Sequence, residues 1–215
     1  MHNHCLFKAE PLFIKPLYNP GEIIFSRFSG QLQKEISFRS FDLDLDLEMI
    51  HRWVNMDYTR QFWRLSWTKD KLYELYYSIQ RNSNGHSYIG LLDRQPVCQF
   101  DVYRVLADEI ARFMPAGPHD CGFHLLMAPN TNPVPGLSLS VITSYLDYFF
   151  SFPQATAMYA EPDIHNHRSN QLVKRAGFRF QHQILMSYKT ANLYSITKEQ
   201  FHAYGHPVFS KAPAI

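Results

Sequence analysis

The stretch from Ala160 to Phe178 constrains the fold of this chain more than any other part of the sequence. The short apolar run before it, residues 155–159, suits a strand, and Pro162 ends that strand because proline has no N–H for a ladder bond. Gly177 fits the position after a helix, where a left-handed backbone costs least without a Cβ. The residues between them that share one face at helical spacing are Ser169, Leu172, Val173 and Ala176. The stretch therefore predicts a strand, an acidic turn, a helix, a glycine stop and a second strand.

The acidic turn of this stretch is a candidate ligand site. Asp163 lies just beyond the carboxyl end of the predicted strand, and Asn166 follows it before the helix. Ligands of open α/β sheets bind outside the carboxyl ends of strands, so Asp163 and Asn166 are the first residues to consider. An Asp here is also a common N-cap of the following helix, and the two interpretations are compatible.

Composition limits the class of protein. The 215 residues suffice for one α/β domain, and 46% hydrophobic with 19% charged residues is typical of a globular chain. A net charge of +2 gives no broad basic surface, so we expect no nucleic-acid partner. The three cysteines have no zinc or disulfide spacing, which suits a reducing compartment. No apolar run is long enough to span a bilayer, and Lys15 and several prolines interrupt any signal-like start. We therefore expect a cytoplasmic protein without a membrane partner.

Hydrophobic periodicity predicts an α/β fold, in which strands and helices follow one another along the chain. Strands are predicted at 35–41, 86–92, 97–103, 121–127, 155–159, 178–186 and 192–196, and helices at 42–54, 68–81, 139–150 and 169–176. The acid-rich run at 42–48 is interpreted as a capped first helical turn, although a cation site is the alternative. We expect one domain at 35–205, preceded by an arm at 1–34 and followed by a tail at 206–215. The alternative for the arm is a hairpin that turns at Asn19–Gly21.

His124 is the strongest single candidate for chemistry. It lies inside the apolar run 121–127, whose continuity favours a central strand covered on both faces. An unpaired polar ring would be costly there. A buried histidine satisfied by a backbone carbonyl is the structural alternative to a catalytic base.

Three sequence strings resemble a known superfamily. The spacing of Asn166 and Ser169, followed by Ala-Gly-Phe at 176–178, resembles the last conserved block of the GNAT superfamily of N-acetyltransferases. The string Glu-Pro-Asp-x-x-Asn at 161–166 resembles the branch that acylates N-hydroxylated amines in hydroxamate siderophore synthesis, which includes mycobactin lysine acyltransferases. The Gly-x-His-Leu string at 122–125 is similar to a motif of the same branch. The resemblance covers roughly residues 36–200. It implies the α/β (α+β) fold of GNAT acyltransferases, a mixed central sheet with flanking helices.

The resemblance implies a direct acyl transfer from acetyl-CoA or another acyl-CoA to the nitrogen of a small N-hydroxyamine. It implies that His124 is the general base and that Asp163, from the neighbouring strand, orients the imidazole. It implies no metal in the enzyme. A general GNAT acetyltransferase of an ordinary amine and a non-catalytic acyl-CoA-binding module are the alternatives.

The resemblance also implies two sets of binding residues. Contacts to the donor are expected from Leu125, Met127, Val134, Gly136, Leu137, Ser138 and Asn166. The loop at 133–138 departs from the superfamily pattern, because it lacks the basic residue and carries two prolines that have no N–H for a pyrophosphate. A second departure is Val173, which stands where many members carry a tyrosine acid.

The second set concerns the acceptor. Similar aromatic strings place Trp53, Trp63, Trp67, Phe100 and Tyr103 in the acceptor pocket, together with Glu161 at the strand end. Core packing is the alternative for each aromatic residue.

Overall fold

The computed structural model describes residues 12–17, 19–63, 68–129 and 132–204. Its strands are β1 Ile23–Ser29, β2 Lys34–Ser40, β3 Gly85–Leu92, β4 Gln95–Arg104, β5 Cys121–Met127, β6 Ala157–Ala160, β7 Arg179–Leu185 and β8 Thr190–Thr197. Its helices are α1 Leu43–Val54, α2 Asp57–Trp63, α3 Lys69–Arg81, α4 Leu137–Ser151, α5 His167–Arg175 and α6 Lys198–Tyr204. Two short 3-10 helices, Val105–Ala107 and Glu109–Arg112, lie between β4 and β5.

The strands form one mixed sheet in the order β1-β2-β3-β4-β5-β6-β8-β7. Strands β5 and β6 are parallel neighbours, and the other adjacent pairs are antiparallel. The predicted mixed α/β architecture is confirmed, and so is the central position of the strand that carries His124. Helix α4 connects the two parallel strands, as a crossover must.

The contact between the two parallel strands is short. Only Cys121 with Met158 and Gly122 with Tyr159 are paired. On its other side β5 stays paired with β4 along its full length, from Cys121 to Met127. Beyond Gly122, therefore, β5 and β6 separate and leave a wedge-shaped gap in the middle of the sheet.

Alternating side chains of β5 supply two hydrophobic cores, one on each face of the sheet. Phe123 belongs to the larger core, which is built around α4 and contains Tyr145 and Phe149. Leu126 belongs to the second core, formed with α1 and α3. His124 projects from the same face as Leu126, because residues two apart on a strand share a face.

Capping residues define the helices around the site. Asp42 accepts hydrogen bonds from the backbone N–H groups of Asp44 and Leu45, so the acidic run does begin a helix, as predicted. Asp46 in the same run is buried and pairs with Arg39 through two bonds of 2.5 and 2.6 Å.

The segments before β2 and after β8 differ from the prediction. Residues 12–17 form no strand, and β1 instead forms a hairpin with β2, so the sheet gains an edge strand inside the predicted arm. Helices α2 and α6 were not predicted, because each spans only 7 residues and shows too little periodicity. The predicted tail at 206–215 and the first residues of the arm lie outside the described residues.

Candidate active site

A cleft of about 720 Å³ opens where β5 and β6 separate. Its walls come from both faces of the sheet, since the gap passes between the strands. Ile142 of α4 and Leu172 and Val173 of α5 line it on the side of the larger core. Leu75 and Ile79 of α3 line it on the side of the second core. The cleft wall therefore includes residues of both hydrophobic cores.

His124 and Glu161 meet at this gap. Nε2 of His124 lies 2.8 Å from Oε1 of Glu161, and both residues line the cleft. The imidazole is 39% exposed, whereas the carboxylate is only 1% exposed. The imidazole of His124 is therefore accessible from the cleft, and the carboxylate of Glu161 that contacts it is buried.

Tyr103 and Lys189 hold the carboxylate of Glu161. The hydroxyl of Tyr103 donates to Oε2 at 2.9 Å. Nζ of Lys189 lies 3.5 Å from Oε1 and donates to the backbone oxygen of Glu161 at 2.6 Å. Burial alone would raise the pKa of Glu161, but His124, Lys189 and Tyr103 together lower it to about 2. Glu161 is therefore an anion throughout the neutral range.

The anion changes the acid–base behaviour of His124. Burial works to lower the pKa of the imidazole, but the charge and hydrogen bond of Glu161 outweigh it and raise the pKa above the ordinary 6.5. Because Glu161 is ionised, Nε2 of His124 is the ring nitrogen that carries a proton and donates it. The neutral ring then has its lone pair on Nδ1, so Nδ1 is the atom that can accept a proton.

The pairing of His124 with Asp163 was predicted wrongly. The carboxylate of Asp163 accepts instead from the backbone N–H of His165 at 2.8 Å, as in a turn. The residues on either side of Asp163 are bound to the segment around Ala191: the backbone N–H of Ile164 donates to the oxygen of Thr190 at 3.1 Å, and that of Asn192 donates to the oxygen of Pro162 at 3.0 Å. Asp163 still lines the cleft, but Glu161 supplies the carboxylate that contacts the histidine.

The residues predicted to bind the donor divide into two groups. Leu125, Met127 and Asn166 line the cleft. Asn166 is also the N-cap of α5, where its Oδ1 accepts from the backbone N–H of Ser169 at 3.1 Å. The second group, at the start of α4, is not part of the cleft wall and consists of Val134, Gly136, Leu137 and Ser138.

The start of α4 has its own geometry. Gly136 is the N-cap and has a φ of 82°, a conformation that favours glycine. The backbone N–H of Leu137 donates to the oxygen of Val134 at 3.2 Å, so it is engaged within the loop, and the Leu137 side chain is buried in the larger core. A Cβ on Gly136 would lie 2.5 Å from the amide nitrogen of Gln31, which the β1–β2 turn brings against this loop. No pattern in the sequence predicts that contact.

The predicted acceptor residues also divide. Tyr103 lines the cleft and binds Glu161. Phe100 and Trp53 are not pocket residues, and those two predictions were wrong: Phe100 is fully buried against Tyr145 in the larger core, and Trp53 is buried in the second core. The side chain of Trp63 and the whole of Trp67 lie outside the described part of the chain.

Several cleft residues were not predicted at all. Lys189 follows β7 and supports Glu161, and Asp108 lies between the two short 3-10 helices. Asp101 stands directly opposite His124 in the antiparallel β4–β5 pair. Asp101 lies between Phe100 and Tyr103, in a string in which only the aromatic residues were predicted to be functional.

Within residues 12–17, 19–63, 68–129 and 132–204, no three His, Cys, Asp or Glu side chains are grouped as metal ligands. In the same residues, no helix has both the length and the apolarity to cross a bilayer.

Comparison with named proteins gives three informative relatives. A Schizosaccharomyces pombe protein with the provisional name lysine N-acyltransferase is 32% identical over 195 residues, 85% of this chain and 55% of the relative. The N(6)-hydroxylysine O-acetyltransferase of Escherichia coli is 25% identical over 91% of this chain and 63% of its own length. An N-hydroxyputrescine acetyltransferase of Acinetobacter baumannii is 22% identical over 79% of this chain and 81% of its own length. The chain thus spans less than two thirds of the first two relatives.

A solved structure shows the likeness of the fold, and a family profile shows the family. An aminoglycoside acetyltransferase AAC(6')-Ib in complex with coenzyme A superposes with a TM-score of 0.71 at 21% identity, over 78% of this chain and 98% of that one. This likeness concerns the fold. The profile described as an acetyltransferase (GNAT) domain matches residues 42–186, well over half of the chain. The chain therefore belongs to the GNAT acetyltransferase family.

Proposed function

We propose that this protein transfers an acyl group from acyl-CoA to the nitrogen of an N-hydroxylated amine and releases a hydroxamate, the iron-chelating group of a siderophore. The observation that carries the proposal is the contact between His124 and the buried anion Glu161 at a gap that is lined by residues from both faces of the sheet. Two relatives whose names include an N-hydroxylated amine support the choice of acceptor.

The two faces of the gap have different proposed tasks. The thioester enters on the side of α4 and α5, along Leu125, Met127 and Leu172. The edge of β5 that β6 leaves after Gly122 offers backbone groups to the thioester, and an N–H there is the proposed oxyanion donor. The acceptor enters on the side of α3 and reaches the thioester carbon beside His124.

The proposed reaction is a direct substitution at the thioester carbonyl. A hydroxylamine nitrogen is largely neutral at working pH, so its lone pair attacks the carbonyl carbon while Nδ1 of His124 accepts the N–H proton. The tetrahedral species collapses, the C–S bond breaks and the thiolate leaves. The thiolate then takes a proton from the imidazolium, which restores the neutral base. Val173 offers no acid at the position of the tyrosine in other members, and this step does not require one.

Release of CoA is the measurement that tests the proposal. Acetyl-CoA and succinyl-CoA are offered with N-hydroxyputrescine, N-hydroxycadaverine or N6-hydroxylysine, and with each parent amine. We expect turnover with hydroxylated acceptors and a loss of about 10²-fold or more in kcat for His124→Ala. His202→Ala is the matched control, since that histidine is exposed on α6.

Other outcomes have definite meanings. Turnover of the parent amines alone would replace the proposal with a general acetyltransferase function. CoA binding without any turnover would indicate a non-catalytic acyl-CoA-binding protein. Equal activity of His124→Ala and wild type would remove His124 from the mechanism.

A further inference from the structure

Asp101 is a cleft carboxylate to which the proposed reaction assigns no role. It faces His124 across the β4–β5 pair, so the two side chains project from the same face of the sheet. Cross-strand neighbours of this kind have Cβ atoms about 5 Å apart. Asp101 therefore lies beside the reacting centre, on the side from which the acceptor enters.

Three neighbours fix the orientation of this carboxylate. Oδ1 accepts from the hydroxyl of Ser87 at 2.6 Å and from the amide of Gln99 at 2.9 Å. Oδ2 has a longer contact, 3.4 Å, with the hydroxyl of Tyr76. Each of these neighbours is a neutral donor. Among the described residues no lysine, arginine or histidine forms an ion pair with Asp101.

The basic side chains near Asp101 contact another carboxylate, so the cationic partner of Asp101 can come from a ligand. Lys189 and His124 are the basic side chains of the described cleft wall, and both contact Glu161. Asp108 adds another carboxylate to the cleft wall, beside Asp101, Glu161 and Asp163. Asp101 is half-buried, and its burial raises the pKa of its carboxyl above the ordinary 3.8. An ammonium group bound in the cleft would therefore stabilise the ionised form of Asp101.

We propose that Asp101 binds a second, unmodified ammonium group of the acceptor, which makes the preferred acceptor an N-hydroxylated α,ω-diamine. This inference rests on the proposed function and narrows its substrate class. The methylene chain of such a diamine lies against Leu75 and Ile79, while its hydroxylated nitrogen reaches His124. N6-hydroxylysine also has an ammonium group, at its α-carbon, but the α-carboxylate beside it would be placed near Asp101 and Asp108, so this acceptor fits less well.

Matched acceptors test the subsite. N-hydroxycadaverine and N-pentylhydroxylamine share a five-carbon chain and differ in the terminal ammonium. We expect wild type to prefer N-hydroxycadaverine by about 10- to 100-fold in kcat/KM, the range of a hydrogen bond to a charged group. Asp101→Asn should lose most of that preference through a higher KM for N-hydroxycadaverine. Both acceptors are compared at a pH above the acid limb of each protein, because the charge of Asp101 also contributes to the raised pKa of His124. N6-hydroxylysine should be the poorer acceptor for wild type.

Two further variants, Asp101→Glu and Asp108→Asn, distinguish a binding role of Asp101 from a structural one. Asp101→Glu retains the charge but moves it one methylene into the cleft, so we expect a shift of preference toward N-hydroxyputrescine. Equal losses with both five-carbon acceptors in Asp101→Asn would show a merely structural role and overturn the inference. Loss of the preference in Asp108→Asn, with Asp101→Asn unchanged, would also overturn it.

Failure of the proposed function is distinguishable from failure of this subsite. If parent amines are the acceptors, cadaverine and pentylamine make the same comparison. If no acceptor turns over, the subsite is tested by calorimetry, which compares the affinity of wild type and of Asp101→Asn for cadaverine. Equal affinity of the two proteins for cadaverine would refute the subsite in either case.

Discussion

Replacement of Glu161 by glutamine removes one negative charge and almost no volume from the centre of the site. The wild-type carboxylate is 1% exposed and contacts His124, Tyr103 and Lys189. The amide in Glu161→Gln can still form hydrogen bonds, but it cannot balance the charge of Lys189 or of a protonated His124. The variant therefore isolates the electrostatic part of the support for the base.

The structure sets the size of the expected effect. The pKa of Glu161 falls from its ordinary 4.5 to about 2, which corresponds to about 3 kcal/mol of favourable interaction of the ionised form. Loss of one partner from a buried ion pair costs a similar amount, about 3–5 kcal/mol. We expect the free energy of unfolding of Glu161→Gln to fall by about 3 kcal/mol near pH 6, measured by urea unfolding.

The pH dependence of this difference has a definite sign. The Glu161 contribution is complete above pH 4.5 and is lost as the pH falls toward about 2, because the folded-state pKa is lowered. The His124 contribution is complete below pH 6.5 and is lost as the pH rises through a folded-state pKa above that value. The stability difference between wild type and Glu161→Gln should therefore be largest between about pH 4.5 and 6.5.

Enzyme kinetics give the second measurement of the same variant. For wild type we expect kcat/KM to rise with pH through a pKa above 6.5, because the base must be neutral. In Glu161→Gln burial acts on His124 without the anion, so this limb should move below pH 6.5. The plateau should also fall, by about 10- to 100-fold, because a less basic imidazole with a looser orientation is a poorer base.

Asp163→Asn is the matched control, since it makes the same chemical change in a carboxylate of the same cleft. Asn can still accept from the N–H of His165, so the turn survives. We expect the acid limb of Asp163→Asn to coincide with that of wild type. A shift in Asp163→Asn with an unchanged limb in Glu161→Gln would refute the assignment of Glu161 as the partner of His124.

Two further substitutions test how the site is built. Gly122→Ala places a Cβ 2.3 Å from the ring of Tyr103, so Tyr103 must leave Glu161; we expect kcat to fall by about tenfold or more, with retained CoA binding as the control for folding. Phe100→Ala empties a fully buried ring position, so the free energy of unfolding should fall by about 3–5 kcal/mol in urea. The KM of the folded Phe100→Ala for the acceptor should stay within about twofold, and a large rise would return Phe100 to the pocket.

Periodicity and capping were sufficient to predict the central elements of the fold. The apolar run of β5, the stripe of α4 and the glycine after α5 each report a local preference that tertiary structure does not override. The same reasoning failed for α2 and α6, which are too short for a period of 3.6 to stand out. It also failed for β1, whose partner is chosen by the packing of the sheet edge and not by the nearest turn.

The errors in the site have a simpler physical cause. Phe100 and Tyr103 are three residues apart on one strand, so they face opposite sides of the sheet and cannot share one wall. Because side chains alternate between the two faces of a strand, only one of the two rings can lie beside His124. Tyr103 shares that face with Asp101. Trp53 shares the helical stripe of Ile50 and Val54, which already assigns it to a core.

His124 contacts Glu161 and not Asp163 because of the position at which β6 ends. β6 ends at Ala160, and Glu161 continues its direction for one residue, so its side chain still points into the sheet beside β5. Pro162 then turns the chain, and Asp163 becomes part of the turn that begins α5. A carboxylate at the end of a strand is buried only if its neighbours supply charge, and Lys189, which does so here, comes from beyond β7. No local pattern around residues 160–166 contains that lysine, so the partner of His124 could be identified only once the strands were assembled.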